Sequence, residues 1–245
     1  MTYSPYFIHG QDRPGPWLIT CDHATNTIPP DIGNGSLGLP REDMERHIAY
    51  DVGAYGVARH LGTLLDAPVI AANFSRLVID PNRGEDDPTV LMKLYDGSVI
   101  PENRHAGPAE RERRLNACYR PYHRELARMA ALPHAVYLAI HSFTRQLRGR
   151  APRPWHVGVL HTKDERLSRP LLDLLAETTD LVVGDNEPYS GHLPGDSVDR
   201  HAIAYNRPNV LIEIRNDLIA DHDGQRLWAE RLAPVLTRAL ETAVL

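Results

Sequence analysis

The segment NVLIEIRNDLI, residues 209–219, has the composition of a buried β-strand, and the fold of the whole chain is interpreted around it. Its Val, Leu and Ile residues form the near-continuous apolar run that is typical of a strand covered on both faces of a parallel sheet. Glu213 and Arg215 interrupt this run, and an ionised carboxylate is costly there unless it is paired, coordinated or used in chemistry. Two interpretations follow: a local ion pair at the end of the strand, or a catalytic carboxylate at the mouth of an active site.

Length and composition favour one globular domain. The chain has 245 residues, of which 42% are hydrophobic and 24% charged, and these values are ordinary for an α/β protein of one domain. The net charge of −5 gives no reason to expect nucleic acid as a partner. The first residues lack the basic segment followed by an apolar stretch that is typical of a secretory leader, and the sequence has no run of about 18 apolar residues. We predict a single domain, residues 1–245, that is cytoplasmic and acts on a small molecule without nucleic acid or membrane.

Segments with strand character alternate with segments of helical periodicity along the chain. Strands are predicted at residues 17–24, the first half of 68–80, and residues 135–143, 155–161, 181–184 and 209–219. Helices are predicted at residues 42–65, 110–129, 168–177 and 223–245, of which the second is rich in Arg and is expected to be solvated. This alternation predicts an α/β fold with a mixed, mostly parallel sheet and helices on both faces.

Polar residues stand at the ends of four of these predicted strands. The clusters are Asp22-His23, Asp80-Asn82-Arg83, His141-Ser142 and Glu213-Arg215. A polar cap at the end of one buried strand has an ordinary structural explanation. Four such caps are different, because the carboxyl ends of parallel strands meet at one edge of the sheet, where ligands bind in folds of this class. The pattern therefore predicts an active site at that edge.

The residue types in these clusters suit metal-assisted hydrolysis of an amide. Two imidazoles, here His23 and His141, with one oxygen ligand and a position left for water make a catalytic zinc site. Glu213 would take the proton of that water and deliver it to the leaving amine. The guanidinium groups of Arg76 and Arg83 offer planar donors for a substrate carboxylate or a developing oxyanion.

Seven blocks of the sequence resemble the N-formylglutamate amidohydrolase family. They are CDHATNTIP (21–29), HIAYDVGA (47–54), SRLVIDPNR (75–83), AIHSFT (139–144), NEPYSG (186–191), DRHA (199–202) and PNVLIEIRNDLI (208–219). These blocks cover most of the chain. The resemblance implies a hydrolase of a linear amide C–N bond that acts on an N-acyl amino acid such as N-formylglutamate, with a fold like that of the zinc exopeptidases.

Three shorter segments, IDPNR, AIHSF and IEIRN, are similar to segments of the zinc carboxypeptidases and of aspartoacylase-like deacylases. This more distant similarity implies that Asn82 and Arg83 bind the substrate carboxylate. It also implies that His141 is a metal ligand. For Glu213, it implies the role of catalytic base.

The second metal ligand has two candidates. In the zinc carboxypeptidases a Glu ligand follows the first metal His by three residues, whereas here Asn26 stands at that distance from His23. A neutral amide is a poorer zinc ligand than a carboxylate. Asp51 is the alternative, since it follows His47 by four residues and would share one face of the predicted helix with it. We predict a divalent metal, zinc being the first choice, bound by His23 and His141 with either Asp51 or Asn26.

Three further residues near the strand ends have open roles. Ser75 and Arg76 lie where a strand gives way to a turn. Their side chains have two alternative roles there: packing within the fold, or contact with the substrate carboxylate or an oxyanion. Arg215 would lie on the same strand face as Glu213, because side chains alternate along a strand. We expect Arg215 either to orient the carboxylate and set its pKa, or to contact the substrate.

A loop at residues 185–202 is interpreted as one wall of the site. Its Tyr189 and Ser190 are predicted to form hydrogen bonds with the substrate. Neither Ser142 nor Ser190 lies in a GxSxG motif, so a covalent serine mechanism is disfavoured. Two other functions stay open: an amidase of peptides or cell wall with the same metal centre, and a catalytically silent protein that binds acidic metabolites.

Overall fold

The structure is a computed structural model, and it describes residues 3–132, 136–191 and 193–244. The strands are β1 Tyr6–His9, β2 Trp17–Cys21, β3 Val69–Ala72, β4 Leu94–Tyr95, β5 Ser98–Val99, β6 Val136–Phe143, β7 Val157–Leu160, β8 Val183–Asp185 and β9 Asn209–Arg215. Within the described ranges, seven of them form one sheet in the order β1-β3-β2-β6-β9-β7-β8, and β4 pairs with β5 in a separate hairpin.

Helices lie in each of the four predicted segments. The α-helices are α1 Arg41–Met44, α2 Ala54–Leu64, α3 Pro101–Arg104, α4 Pro108–Arg114, α5 Arg120–Ala130, α6 Ser168–Ala176, α7 Ser197–His201 and α8 His222–Thr242. Of these, α3 and α7 are additional short helices that were not predicted. A π-helical turn, Leu115–Tyr119, joins α4 to α5. None of the helices in the described ranges is both long and apolar enough to cross a bilayer.

The central strands of the sheet are parallel. The pairs β3 with β2, β2 with β6, and β6 with β9 are parallel, whereas β1 and β7 run antiparallel to their neighbours β3 and β9. The predicted mixed, mostly parallel sheet is therefore confirmed. The register of β6 and β9 places His141 beside Glu213, so the polar residues of these two strand ends are neighbours.

Apolar layers cover both faces of the sheet. One layer joins the sheet to α2, α6 and α8 through residues such as Leu61, Leu171 and Leu232. The other joins it to α5 and to the 74–100 segment through residues such as Phe74 and Leu126. Helices on both faces were predicted, and this prediction is also confirmed. The site residues consequently project from the rim of a rigid, buried sheet.

The prediction of one continuous helix at residues 42–65 is wrong between residues 45 and 53. The chain leaves the helix after Met44 and resumes it only at Ala54, because Gly53 has a φ of +82° and turns the chain. A Cβ atom at Gly53 would lie 2.0 Å from the carbonyl oxygen of Ile219, so only glycine fits this turn. His47 and Asp51 therefore do not share a helix face.

Other boundaries differ from the sequence predictions in smaller ways. Strand β1 was not predicted, since it is a half-buried antiparallel edge strand of four residues without a clear apolar pattern. The predicted strand at 135–143 begins at Val136 and the predicted helix at 223–245 ends at Thr242; Ala135 and Leu245 lie outside the described residues.

The Arg-rich helix is not uniformly solvated. Arg114 is 1% exposed, and its guanidinium donates to Glu110, to the Val78 carbonyl and to Asn103 Oδ1. An arginine that bonds three oxygens inside the fold ties α4 to the segment that follows β3. The expectation of a solvated helix is therefore wrong at this position.

Candidate active site

A cavity of about 240 Å³ opens at the carboxyl edge of the sheet. The predicted site residues that line it are His23, Asp51, Arg76, Asn82, Arg83, His141, Tyr189, Ser190 and Glu213. His23, His141 and Glu213 come from the ends of β2, β6 and β9. The others come from the turn before α2, from the segment that follows β3 and from the loop after β8. The carboxyl ends of parallel strands meet at one edge of the sheet. The polar residues that follow these strands therefore line one cavity at that edge.

Two histidines and one aspartate form the centre of this cavity wall. His23 Nδ1 lies 3.3 Å from Asp51 Oδ1, and His141 Nδ1 lies 2.8 Å from Asp51 Oδ2. Donor atoms of the three side chains lie within 4.8 Å of one another, and all three residues are buried. Asp51 reaches this position from the turn before α2, where its backbone N–H donates to the carbonyl of His23 at 2.9 Å.

Each of these histidines has a second carboxylate behind it. His23 Nε2 bonds Asp80 Oδ1 at 2.7 Å, and His141 Nε2 lies 3.5 Å from Asp22 Oδ2. A carboxylate on the far ring nitrogen fixes the tautomer and the orientation of a metal-binding imidazole. In both rings it is therefore Nδ1 that is directed towards Asp51.

The electrostatics of the cluster suit a cation. Although burial opposes charge on both imidazoles, the surrounding carboxylates raise the pKa of His23 and His141 above their ordinary value. His23 Nδ1 is buried and has no hydrogen-bond partner among the described residues. The unpaired His23 Nδ1 lies among carboxylates and next to further nitrogen and oxygen donors from His141 and Asp51. This set of ligand atoms fits a divalent metal of the zinc type.

Glu213 lies beside this cluster and keeps one carboxylate oxygen free of hydrogen bonds to the described residues. Its side chain is 7% exposed, and its Oε2 has no hydrogen-bond partner in the described part of the chain. Burial raises the pKa of Glu213 to about 7. On β7, Gly158 faces Glu213, and a Cβ atom there would lie 2.0 Å from the carbonyl oxygen of Glu187. The absence of a side chain at Gly158 leaves room for the packing around Glu213. With a pKa of about 7, the Glu213 carboxylate can either accept or hold a proton at neutral pH.

Arg76 is the cation closest to the centre. Its guanidinium donates to Asp80 Oδ2 at 2.9 Å and lies 3.6 Å from Asp51 Oδ1. The ring of Tyr95, from the hairpin of β4 and β5, covers the guanidinium at 5.4 Å. Arg76 is therefore held rigidly at the cavity wall by two carboxylates and an aromatic ring.

A turn at residues 81–83, here named the clamp turn, presents Asn82 and Arg83 to the cavity. Asp80 Oδ1 accepts from the backbone N–H of Asn82 at 2.9 Å and so closes the start of the turn. Asn82 Oδ1 accepts from the backbone N–H of Ser197 at 3.3 Å, which leaves the Asn82 amide NH₂ for a ligand. The Nε atom of Arg83 is buried without a hydrogen-bond partner among the described residues.

Tyr189 and Ser190 also line the cavity, as predicted from the loop sequence. Arg153 holds the tyrosine in place: its guanidinium lies 4.8 Å from the ring centre and donates to the phenolic oxygen at 3.0 Å. Burial raises the pKa of Tyr189 to about 12, so its hydroxyl keeps its proton at neutral pH. A hydrogen-bond donor is thereby available at this wall.

Three predicted site residues lie elsewhere. Asn26 donates to the carbonyl of Met44 at 2.8 Å and does not line the cavity, whereas Asp51 does. Ser75 is fully buried, because its hydroxyl closes a turn by donating to the Ala49 carbonyl at 2.7 Å. Strand β9 ends at Arg215, whose guanidinium bonds Asp217 at 2.7 Å and the Trp155 carbonyl at 3.3 Å. The structure does not bring these three side chains to the cavity.

The structure adds residues to which the sequence assigned no role. Asp22 and Asp80 stood in the predicted strand-end clusters, and that position was a usable signal for their place behind the histidines. Tyr95 and Asp196 line the cavity without such a signal. Burial raises the pKa of Asp196 to about 6, and its Oδ1 accepts from the backbone N–H of Asp199 at the start of α7.

Comparison with known proteins identifies the family of the chain. A profile of the N-formylglutamate amidohydrolase family matches residues 15–220. The chain belongs to this family. The resemblance predicted from the seven sequence blocks is confirmed, and so is the predicted enzyme class, a hydrolase that acts on an amide bond.

Individual relatives cover most of the chain. An N-formylglutamate deformylase from Pseudomonas putida is 29% identical over an alignment of 209 residues that covers 76% of this chain and 74% of the relative. The crystal structure of a gene product from Agrobacterium tumefaciens is 34% identical, with a TM-score of 0.91 over 98% of this chain and 96% of that one. An N-formylglutamate amidohydrolase from Ralstonia eutropha shares the fold, with a TM-score of 0.67, 22% identity and 98% coverage of both chains.

Proposed function

We propose that this family member hydrolyses the amide bond of an N-acyl amino acid, with N-formyl-L-glutamate as the first candidate substrate. The observation that carries the proposal is the direction of the two histidines. The Nδ1 atoms of His23 and His141 converge on Asp51 while their Nε2 atoms face other carboxylates, and an uncommitted Glu213 lies beside them. The name of the Pseudomonas putida relative supports the choice of acyl group.

The metal in this proposal is divalent, with zinc as the first candidate. His23 and His141 would bind it through Nδ1, and Asp51 would bind it through its carboxylate. When bound, such an ion lowers the pKa of a water molecule and polarises a carbonyl group. Asp80 and Asp22 keep both imidazoles in the orientation that this requires.

Glu213 is the proposed general base. Its Oε2 would accept the proton of the attacking water and then deliver it to the nitrogen of the leaving amine, so that the acyl group leaves as the free acid. The absence of a hydrogen-bond partner for Oε2 among the described residues supports this role, because the atom is free to take a proton. No catalytic or substrate-binding role is proposed for Ser75, Asn26 or Arg215.

The clamp turn and the loop after β8 would hold the amino acid. The Arg83 guanidinium and the Asn82 amide are the proposed donors to its α-carboxylate. Arg76 is the proposed stabiliser of the negative charge that develops on the carbonyl oxygen. Tyr189 and Ser190 would supply further hydrogen bonds from the loop after β8. Donors from separate elements line the cavity, so the substrate would be oriented before it reacts.

The size of the cavity favours a single amino acid over a peptide. Its volume of about 240 Å³ lies below the range of roughly 300–1,000 Å³ that is typical of pockets for drug-sized ligands. An amidase of peptides or cell wall needs an open groove for a chain that extends in both directions. The cavity therefore supports a small metabolite as substrate.

The proposal is tested by metal content and formate release. Purified protein is expected to contain about one equivalent of metal by elemental analysis and to release formate from N-formyl-L-glutamate. Treatment with a chelator should abolish turnover, and added zinc should restore it. Metal-free protein that binds N-formylglutamate without turnover would instead support a silent binding protein, and turnover that resists complete metal removal would refute the metal-dependent mechanism.

A further inference from the structure

The clamp turn is held from behind by two helical segments. Tyr119, at the end of the π-helical turn, donates its hydroxyl to the carbonyl of Arg83 at 2.6 Å. His123, one helical turn later on α5, bonds the carbonyl of Pro81 through Nε2 at 2.9 Å. Both carbonyls that flank Asn82 are therefore fixed by side chains that do not themselves line the cavity.

The tautomer of His123 follows from its partners. The Pro81 carbonyl can only accept a hydrogen bond, so Nε2 of His123 carries the proton. Burial, with Arg200 nearby, lowers the pKa of His123 to about 3, and burial lowers the pKa of His201 to about 4, so both rings are neutral at pH 7. His123 Nδ1 is then an acceptor, and it lies 2.9 Å from His201 Nε2, which must donate to it.

A directed chain of hydrogen bonds thus runs from His201 through His123 to the clamp turn. The two imidazoles are 3% and 5% exposed, and their rings stack with centres 5.1 Å apart. The charged groups that act on the pair are Arg200, Arg207 and Asp22. Arg200 also donates to the Tyr119 hydroxyl, so the tyrosine is fixed at both of its contacts.

We infer that Tyr119, His123 and His201 are positioning residues, which hold the clamp turn so that its two donors meet a substrate carboxylate. This inference rests on the function proposed above. If the Pro81 or Arg83 carbonyl loses its hydrogen bond, the clamp turn can relax and move the Asn82 and Arg83 side chains. Displacement of these side chains weakens binding of the substrate carboxylate but does not change the chemistry at the proposed metal site. The effect should appear in KM and only for substrates that carry the carboxylate.

The test compares two substrates, N-formyl-L-glutamate and N-formyl-L-isoglutamine, whose α-carboxylate is replaced by an amide. Tyr119→Phe and His201→Leu are expected to raise KM for N-formylglutamate about tenfold and to change kcat less than about threefold, with no change of KM for the amide. His201→Gln keeps a donor near the position of Nε2 and should restore KM.

Controls separate this inference from a general loss of structure. Tyr55→Phe removes a hydrogen bond of similar length, 2.6 Å to His9, at a distance from the cavity, and should leave both substrates unaffected. Arg83→Ala removes one of the two donors of the clamp turn, so His201→Leu should raise KM by a smaller factor in that background than in the wild type. Melting curves and metal content verify that every variant is folded and loaded.

Each outcome decides the inference. Equal KM increases for both substrates, an unchanged KM in Tyr119→Phe and His201→Leu, or a His201→Gln variant that behaves like His201→Leu would overturn it while leaving the proposed function intact. If the wild type releases no formate, the proposed function fails, and calorimetric binding of N-formylglutamate to the same variants then decides the positioning role. Absence of binding to the wild type would overturn both.

Discussion

Replacing Glu213 by glutamine removes a buried carboxylate and leaves a neutral side chain of similar shape. The carboxylate is buried, and Oε2 has no partner in the described ranges. Burial raises its pKa from the ordinary 4.5 to about 7. A raised pKa means that the folded protein binds this proton more tightly than the unfolded chain. Ionisation of Glu213 therefore destabilises the fold as the pH rises from 4.5 through 7.

The size of this effect follows from the two pKa values. Their difference corresponds to about 3 kcal/mol, at about 1.36 kcal/mol per pKa unit. Glutamine has nearly the same shape and no charge. In metal-free protein, Glu213→Gln should therefore raise the free energy of unfolding by up to about 3 kcal/mol above roughly pH 7, and by little near pH 5. In metal-loaded protein it should lower kcat by about 100- to 10,000-fold, the usual contribution of a general base.

Urea denaturation of chelator-treated protein between about pH 5 and pH 8 measures the first effect, and formate release by metal-loaded protein measures the second. Glu241→Gln, an exposed substitution on α8, is the matched control and should change neither. A metal-loaded Glu213→Gln variant with wild-type kcat would refute the role of Glu213 as base. A stability difference that does not grow with pH would contradict the argument from burial.

Three other perturbations have defined outcomes. Asp80→Asn removes the anion behind His23 and should weaken metal affinity about 10- to 100-fold in a competition titration with a chromophoric chelator; unchanged affinity would contradict the orienting role. Gly158→Ala forces a Cβ atom against the Glu187 carbonyl and should destabilise the fold by about 1–3 kcal/mol in urea, in contrast to a neutral result if the strand can shift. Saturating zinc, at about 1,000 times its dissociation constant, should stabilise the protein by about 4 kcal/mol relative to the chelated form, and an unchanged melting temperature would argue against a site in the folded state.

Much of the fold could be predicted because its signals are local. Apolar runs marked β2, β3, β6, β7 and β9, and the alternation with helical periodicity predicted a mostly parallel sheet. The break between α1 and α2 could not be predicted this way, since the apolar spacing continues through it. It depends on the approach of Gly53 to the carbonyl of Ile219, a contact between distant parts of the chain that leaves no periodic pattern.

The candidate site also has some features that the sequence predicted and others that depend on tertiary contacts. Strand polarity brought His23, His141 and Glu213 to one edge, because parallel strands end together whatever their loops do. The choice of Asp51 over Asn26 depended on a turn between helices. Arg215 is the last residue of β9, and its guanidinium bonds Asp217 and the Trp155 carbonyl, two partners that the alternation of side chains along a strand does not reveal.

The sequence by itself therefore determined the main strands and the mostly parallel order of the central ones, because apolar runs and periodicity are local signals, and it determined which polar residues follow those strands. The tertiary structure alone decided which oxygen joins the two imidazoles, which carboxylates stand behind them, and how Tyr119 and His123 hold the clamp turn. Those contacts join residues from 28 positions apart, as in His23 and Asp51, to 119 positions apart, as in Asp22 and His141, and side-chain direction at such distances follows from packing rather than from local propensity.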